Sequence, residues 1–325
     1  MKTKLLLLAI FCTFKIFAQN DTTVVDVTKD IKEAASENQP VKVFYDQRLI
    51  NVNTVEVLHK GIMEFKVSHH FGDIAGDNGG IKYFFGLDHA SDVRIGFHIG
   101  LSDKLNIVAS RTRGDEVIVG DNNLRVGSVQ QLWELGLKYQ FMRQMENDPK
   151  HPFSLTVYVN DVVSSMRPTT APLKESAYSN FADRNSQLVQ LMLARKFGNV
   201  SLQISPTYLH TNYVMAGDHN GLFALGGALR MPLTKKFFLI ADYYHSFFSQ
   251  ETRDTADRHN IPLHDVFGIG IEILTEGHIF HMNFTNATNI LENRFLTRTV
   301  TSWGDGQFRW GFTISRRFVL FRSKK

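Results

Sequence analysis

Trp133-Glu134-Leu135-Gly136-Leu137-Lys138-Tyr139-Gln140-Phe141 alternates apolar residues with polar ones or glycine, without a break. Successive side chains of a β-strand point to opposite faces, so this stretch, extended, has one greasy side and one polar side. Aromatic residues stand at both ends of the greasy side, Trp133 at one and Tyr139 with Phe141 at the other. That placement suits a strand crossing a membrane, where aromatic rings gather at the two interfaces and the opposite face encloses an interior.

The same rhythm recurs on both sides of this stretch. Upstream, Met63, Phe65 and Val67 alternate with Glu64, Lys66 and Ser68, and Val93, Ile95, Phe97 and Ile99 with Arg94, Gly96, His98 and Gly100. Downstream, Phe153, Leu155, Val157 and Val159 oppose Ser154, Thr156, Tyr158 and Asn160. Phe267, Ile269, Ile271 and Ile273 oppose Gly268, Gly270 and Glu272, and Phe308, Trp310, Phe312 and Ile314 oppose Arg309, Gly311, Thr313 and Ser315. Weaker segments around Leu105, Val189, Leu202, Phe223, Leu239 and Phe280 bring the expected total to about twelve strands.

The connections sharpen the reading. Short links at Ser102-Asp103-Lys104, Gly198-Asn199, Pro232-Leu233-Thr234-Lys235 and Thr275-Glu276-Gly277 take turns with long polar ones. The long ones lie near residues 72–90, 113–129, 163–185, 212–220, 250–262 and 286–306; one link, 142–152, is of middling length where a short one is expected. Outer-membrane barrels show this parity, with tight periplasmic turns and long outer loops, whereas a soluble sandwich has no reason for it. The predicted fold is therefore all-β: an up-and-down antiparallel transmembrane β-barrel of about twelve strands, over residues 61–325, with a short N-terminal periplasmic segment. An even strand count leaves both ends of the barrel on the periplasmic side. The competing fold is a soluble periplasmic barrel, which would need its apolar face buried in a packed core.

Lys2 and Lys4, the apolar stretch Leu5–Phe14 and Ala18 before Gln19 read as a secretory signal peptide over residues 1–18, cleaved on export to a bacterial outer membrane. The lone cysteine, Cys12, lies within it, so the exported chain has no thiol for catalysis, zinc or disulfides. Removing Lys2, Lys4 and Lys15 lowers the formal charge from +4 to +1, which gives no reason to expect nucleic acid as a partner. No apolar run long enough for a membrane helix follows. Residues 19–60 are polar and mixed and are expected to form a periplasmic lead-in. Asp21-Thr22-Thr23-Val24-Val25 is faintly similar to the energy-coupling box of large outer-membrane receptors, but those need a folded plug and about 22 strands.

Three places carry a family likeness: His69-His70-Phe71-Gly72 followed by Phe84-Phe85-Gly86-Leu87-Asp88; Arg94-Ile95-Gly96; and Gly277-His278-Ile279-Phe280-His281-Met282-Asn283-Phe284-Thr285-Asn286. From about Leu58 to the last strand the chain resembles a domain-of-unknown-function family of bacterial outer-membrane-type β-barrel proteins. In that family an Arg commonly stands where this chain has His70. The resemblance implies a barrel in the outer envelope and supplies no substrate or catalytic residue.

With the apolar faces toward lipid, the lumen-lining candidates are Glu64, Lys66, His70, Arg94, His98, Glu134, Lys138, Arg230, Asp242, Glu272, His281 and Arg309. Charges inside a low-dielectric wall must pair or meet water. Twelve strands about 4.8 Å apart and tilted about 40° give a backbone diameter of roughly 24 Å and leave roughly 10 Å between side chains. That width lies between a narrow aqueous pore and a lumen closed by ion pairs. The leading expectation is a narrow channel or binding barrel for small polar solutes. The second is a structural barrel docking a periplasmic or envelope protein partner, and the third a lipid-active enzyme.

No enzyme activity, catalytic residue, metal or other cofactor is expected. Ser68 and His70 share a face, but it is the lumen side, away from acyl chains, and no Gly-x-Ser-x-Gly elbow occurs. His69 and His70 point oppositely, as do His278 and His281. Asp73, Asp77 and Asn78, and separately Asp121, Asn122 and Asn123, lack the spacing of a calcium loop. Outer-membrane lipid is the one partner the greasy faces demand.

Overall fold

The computed structural model describes residues 39–321, apart from 77, 115–116, 120–123, 127–129 and 171–175. Twelve antiparallel strands close into a barrel: β1 (Ile62–Asp73), β2 (Ala90–Gly100), β3 (Leu105–Gly114), β6 (Gln130–Met142), β7 (Ser154–Ser164), β8 (Asn185–Phe197), β9 (Val200–Thr211), β10 (Gly221–Pro232), β11 (Phe237–Phe247), β12 (Val266–Leu274), β13 (His278–Thr285) and β14 (Arg309–Val319). β4 (Val117–Val119) and β5 (Leu124–Val126) make a small hairpin within the loop that follows β3. Each barrel strand pairs with its neighbours in sequence, and β1 closes the ring on β14, Ile62 facing Val319. Closure leaves no sheet edge unpaired, which is what a β-structure needs in lipid.

The alternation seen in the sequence is the alternation of the wall. Leu135 is 60% exposed on the outside while its neighbours Glu134 and Lys138 are buried inside. Aromatic rings cluster outside and at the rim: Phe65 with Phe97 at 5.3 Å, and Phe284 with Trp310 at 4.2 Å beside Trp303 and Phe308 at 4.3 Å. Inward glycines make room for large inward neighbours. A side chain at Gly136 would meet the Tyr158 hydroxyl at 2.6 Å, and one at Gly226 would meet the ring of Tyr244 at 2.6 Å.

All the short links fall at one end and all the long ones at the other, as expected. The long-loop end holds α1 (Gln250–Arg258), with Ser249 accepting from Thr252 N as its cap, and α2 (Glu292–Arg298).

The wall's interior departs from the expectation of a uniformly polar lumen. On β8 to β11, Leu188, Met192, Leu209, Leu222, Ala224, Ala228, Ile240 and Tyr244 point inward and are buried. These strands alternate weakly in sequence because part of their inward face is apolar as well and meets a core, although β9 also turns Ser201, Gln203, Ser205 and Thr207 inward.

Candidate functional site

That core is supplied by the chain itself. Residues 41–58, within the stretch expected to be a periplasmic lead-in, lie inside the barrel as a re-entrant hairpin. It enters at the short-turn end, where Val41 N donates to Gln144 O at 2.8 Å and Glu146 N donates to Gln39 O at 2.9 Å. It turns at Leu49–Val52, with Leu49 N donating to Val52 O at 2.9 Å and Thr54 N to Gln47 O at 3.0 Å. It leaves beside His59, whose Nδ1 lies 3.1 Å from Asp103 Oδ1, and runs straight into β1. Every residue from Val43 to Leu58 is buried. This hairpin is the feature that sequence periodicity misses.

Wall side chains, not a strand ladder, hold the hairpin. Asp242, on β11, accepts from three consecutive tip amides: Ile50 at 3.0 Å, Asn51 at 2.6 Å and Val52 at 3.0 Å, all through Oδ2. Its Oδ1 accepts from the Asn51 amide at 2.8 Å. Gln203 accepts from Val55 N at 2.9 Å and donates to Asn53 O at 2.6 Å. Gln140 and Thr156 both donate to Val55 O, at 2.9 and 2.7 Å. Lys138 donates to Gln47 O at 3.2 Å.

A chain of buried ionisable groups ties the hairpin to one arc of the wall, β1 and β14 at one end and β13, β12 and β10 at the other. Arg317 pairs with Glu64 at 2.9 Å, Glu64 lies 3.3 Å from Lys66, and Lys66 bonds Asp46 on the hairpin. Asp46 lies 3.5 Å from His281, which is 3.2 Å from Glu272, which pairs with Arg230 at 2.6 Å. Pairing opposite charges, as in Arg317–Glu64, Lys66–Asp46 and Arg230–Glu272, is how a dry interior holds ionised groups.

The other half of the lumen is filled from the long-loop end. The connection between β13 and β14 folds inward, burying Ala287, Ile290, Leu291, Phe295 and Leu296. Glu292, in the first turn of α2, accepts from Arg48 Nη1 at 3.0 Å and from Asn53 Nδ2 at 2.8 Å. The inner hairpin and the outer insert therefore meet tip to tip.

All twelve candidate lumen residues lie on the buried face of the wall. Glu64, Lys66, Arg230, Glu272 and His281 belong to the charge chain. Asp242 and Lys138 hold the hairpin backbone. Arg94 and Glu134 pair at 2.6 Å, with Tyr158 donating to Glu134 at 2.6 Å. Arg309 pairs with Asp73 at 2.6 Å near the long-loop end. His70 Nδ1 lies 3.4 Å from Thr288 O on the outer insert. His98 is buried with neither ring nitrogen hydrogen-bonded among the described residues. His70, His98 and His281 are not brought together, and Ser68 bonds Thr313 at 3.0 Å, not His70. Asp77 and residues 121–123 lie outside the described residues.

Below the hairpin, at the short-turn end, a vestibule of about 1410 Å³ opens between the entering chain and the turns, with Lys42, Glu56, Arg143, Lys196 and Lys235 on its walls. Glu56 folds the hairpin's two ends together, accepting from Val43 N and Phe44 N at 3.0 Å each and pairing with Lys42 at 3.2 Å. Burial pushes its carboxyl up, but Lys42, the Phe44 amide and Arg143 outweigh this and hold it below the usual glutamate value.

A family described as a membrane-bound β-barrel domain (DUF5777) matches residues 44–318, which takes in the hairpin as well as the wall. This chain belongs to the DUF5777 family. Membership and the closed barrel together make the protein a transmembrane, membrane-bound β-barrel. No curated protein matches the sequence. Among solved structures the DUF5777 chain is similar in outline to the KdgM porin, at 7% identity over 78% of this chain and 98% of that one, TM-score 0.44. It is also similar to a COG4313 outer membrane channel from Pseudomonas putida F1, at 12% identity over 81% and 98%, TM-score 0.46. A third is outer membrane phospholipase A from Escherichia coli, at 9% identity over 84% and 98%, TM-score 0.40. Likenesses this distant carry no residue or substrate across to the DUF5777 barrel.

Proposed function

We propose that the protein is an outer-membrane barrel for small polar solutes whose passage is shut at rest by its own N-terminal hairpin together with the inward-folded β13–β14 connection, a gated barrel and not a standing pore. The short-turn end faces the periplasm in this reading, so the hairpin enters and leaves on the periplasmic side. The observation that carries it is the mode of attachment. The hairpin joins no wall strand and is held by side chains such as Asp242, Gln203 and Lys138, which water can replace once it moves.

Magnitudes rule out free opening. Val43, Phe44, Leu49, Ile50, Val52 and Val55 are packed into the apolar core. At roughly 1.5–3 kcal/mol for each buried side chain, withdrawing them into water costs on the order of 10 kcal/mol. A cost of that size leaves about one barrel in ten million open. Opening therefore requires work from a partner or a ligand.

Planar-bilayer recording tests the reading. The full exported chain should be silent, and a variant lacking residues 41–57 and with the inward-folded stretch 287–296 replaced by a short polar link, folded by its heat-shift on gels, should conduct. A folded deletion variant that stays silent overturns the gate. It would favour a second reading, a permanently closed barrel that docks an envelope partner. The apolar lining of β8 to β11 and the meeting of Arg48 with Glu292 support that reading, and co-purification from solubilised envelope would test it.

A further inference from the structure

A chamber of about 350 Å³ lies at the long-loop end, reaching down to Leu222 and Phe248 at the edge of the lumen core, between the β9–β10 loop, α1 and the end of the outer insert. Its apolar floor is Met215, Ala256, Ile261, Leu263 and Val300, a cluster separate from the main core. We propose that this chamber is a binding site for a small, uncharged amphipathic molecule with an apolar body and one hydrogen-bonding edge.

The walls are built. Thr252 Oγ1 donates to Asp218 Oδ1 at 2.7 Å and Thr255 Oγ1 donates to Gly217 O at 2.8 Å, tying α1 to the β9–β10 loop. Ile261 N returns to Ala256 O at 2.9 Å and closes the end of α1 over the floor. Loops tied in this way cannot collapse to fill the space, and apolar walls facing water forfeit contacts that a ligand would restore.

Size and charge select the occupant. The volume falls at the small end of the range for small-molecule sites, roughly 300–1,000 Å³. A helix, about 10–12 Å across with its side chains, does not enter. The charged groups that line it are already turned to the protein: Asp218 to Thr252, and Arg298 to a partner within the chain. Thr211, Thr297 and His259 supply the polar edge. The site stands apart from the gating reading, since binding here needs no open lumen.

Indole, an apolar ring with a single N–H, is the probe. Titrated into nanodiscs carrying the full chain, it should bind saturably above the background of empty nanodiscs. Ala256→Trp, which fills the chamber, should weaken binding at least tenfold, and indole-3-acetate should bind at least tenfold more weakly than indole. In the unaltered chain the methyl signal of Met215 should shift on titration while that of Met192, in the lumen core, stays put. Uptake equal to empty nanodiscs, or a Met215 signal that does not move, overturns the proposal whether or not the tryptophan variant folds.

Discussion

Arg48 and Glu292, 244 positions apart, meet inside the barrel at 3.0 Å, each carried there by a segment that is not part of the wall. Arg48 also bonds Ile290 O, so the tip of the inner hairpin grips the outer insert at two points. The pair lies where the two halves of the lumen filling touch. Together with Asn53 Nδ2, which donates to Glu292 at 2.8 Å, it joins the two inserts by polar contact, so that movement of one bears on the other.

Breaking that pair on one side should cost more than removing it whole. Arg48→Met leaves the Glu292 carboxylate buried without its paired cation, and losing one partner of a buried pair costs about 3–5 kcal/mol. The double variant Arg48→Met with Glu292→Met should recover much of the loss. Urea unfolding of the detergent-solubilised chain and its variants gives the cycle directly, and equal, additive losses would show that the residues do not act as a pair.

Asp242 should control how firmly the hairpin tip is seated. Asp242→Ala strands three tip amides, each costing about 1–3 kcal/mol when buried without a partner. Val52→Cys gives a reporter, because the exported chain is expected to contain no other thiol. Maleimide should modify Val52→Cys slowly, and at least tenfold faster once Asp242→Ala is added. Unchanged protection would mean that the apolar packing alone holds the tip.

Acid should loosen the hairpin at its base. Glu56 has a folded value below the ordinary 4.5, so its contribution is fully present above that pH and is lost as pH falls through the folded value. Protease cleavage within residues 41–58 should therefore rise below about pH 4.5. Glu56→Gln should show raised cleavage already at neutral pH and a flatter response to acid.

The outer face should reject charge according to depth. Leu137 is exposed on the lipid side near the middle of β6. Leu137→Arg should lower folding stability into lipid vesicles by about 2–4 kcal/mol, the cost near a bilayer midplane. Lys138→Leu, one residue away on the inner face, should leave vesicle insertion unaffected and instead free Gln47, seen as faster exchange of hairpin amides.

Inward glycines should resist enlargement. Gly136→Val places a side chain on the Tyr158 hydroxyl, which donates to Glu134, and should destabilise the fold by about 1–3 kcal/mol with loss of the near-ultraviolet tyrosine signal. An outward Leu135→Val should cost far less.

The wall was legible in the sequence because a membrane strand meets two different media, lipid on one side and interior on the other. Period-two alternation in Trp133–Phe141 records that difference, and loop parity records the two ends of the barrel. The same rule placed Glu64, Arg94, Glu272 and the other candidates on the inward face. The hairpin left no such record. Val43 to Leu58 is enclosed on every side, so its apolar and polar residues follow the wall they touch and not a period of their own. Asp46 beside Lys66, and Arg48 beside Glu292, are pairings across long stretches of chain that only tertiary structure brings together. Sequence alone therefore decided that there is a barrel and which way its side chains point. What fills it was decided in three dimensions, because the filling is chosen by shape and charge at contact, and neither has a spacing along the chain.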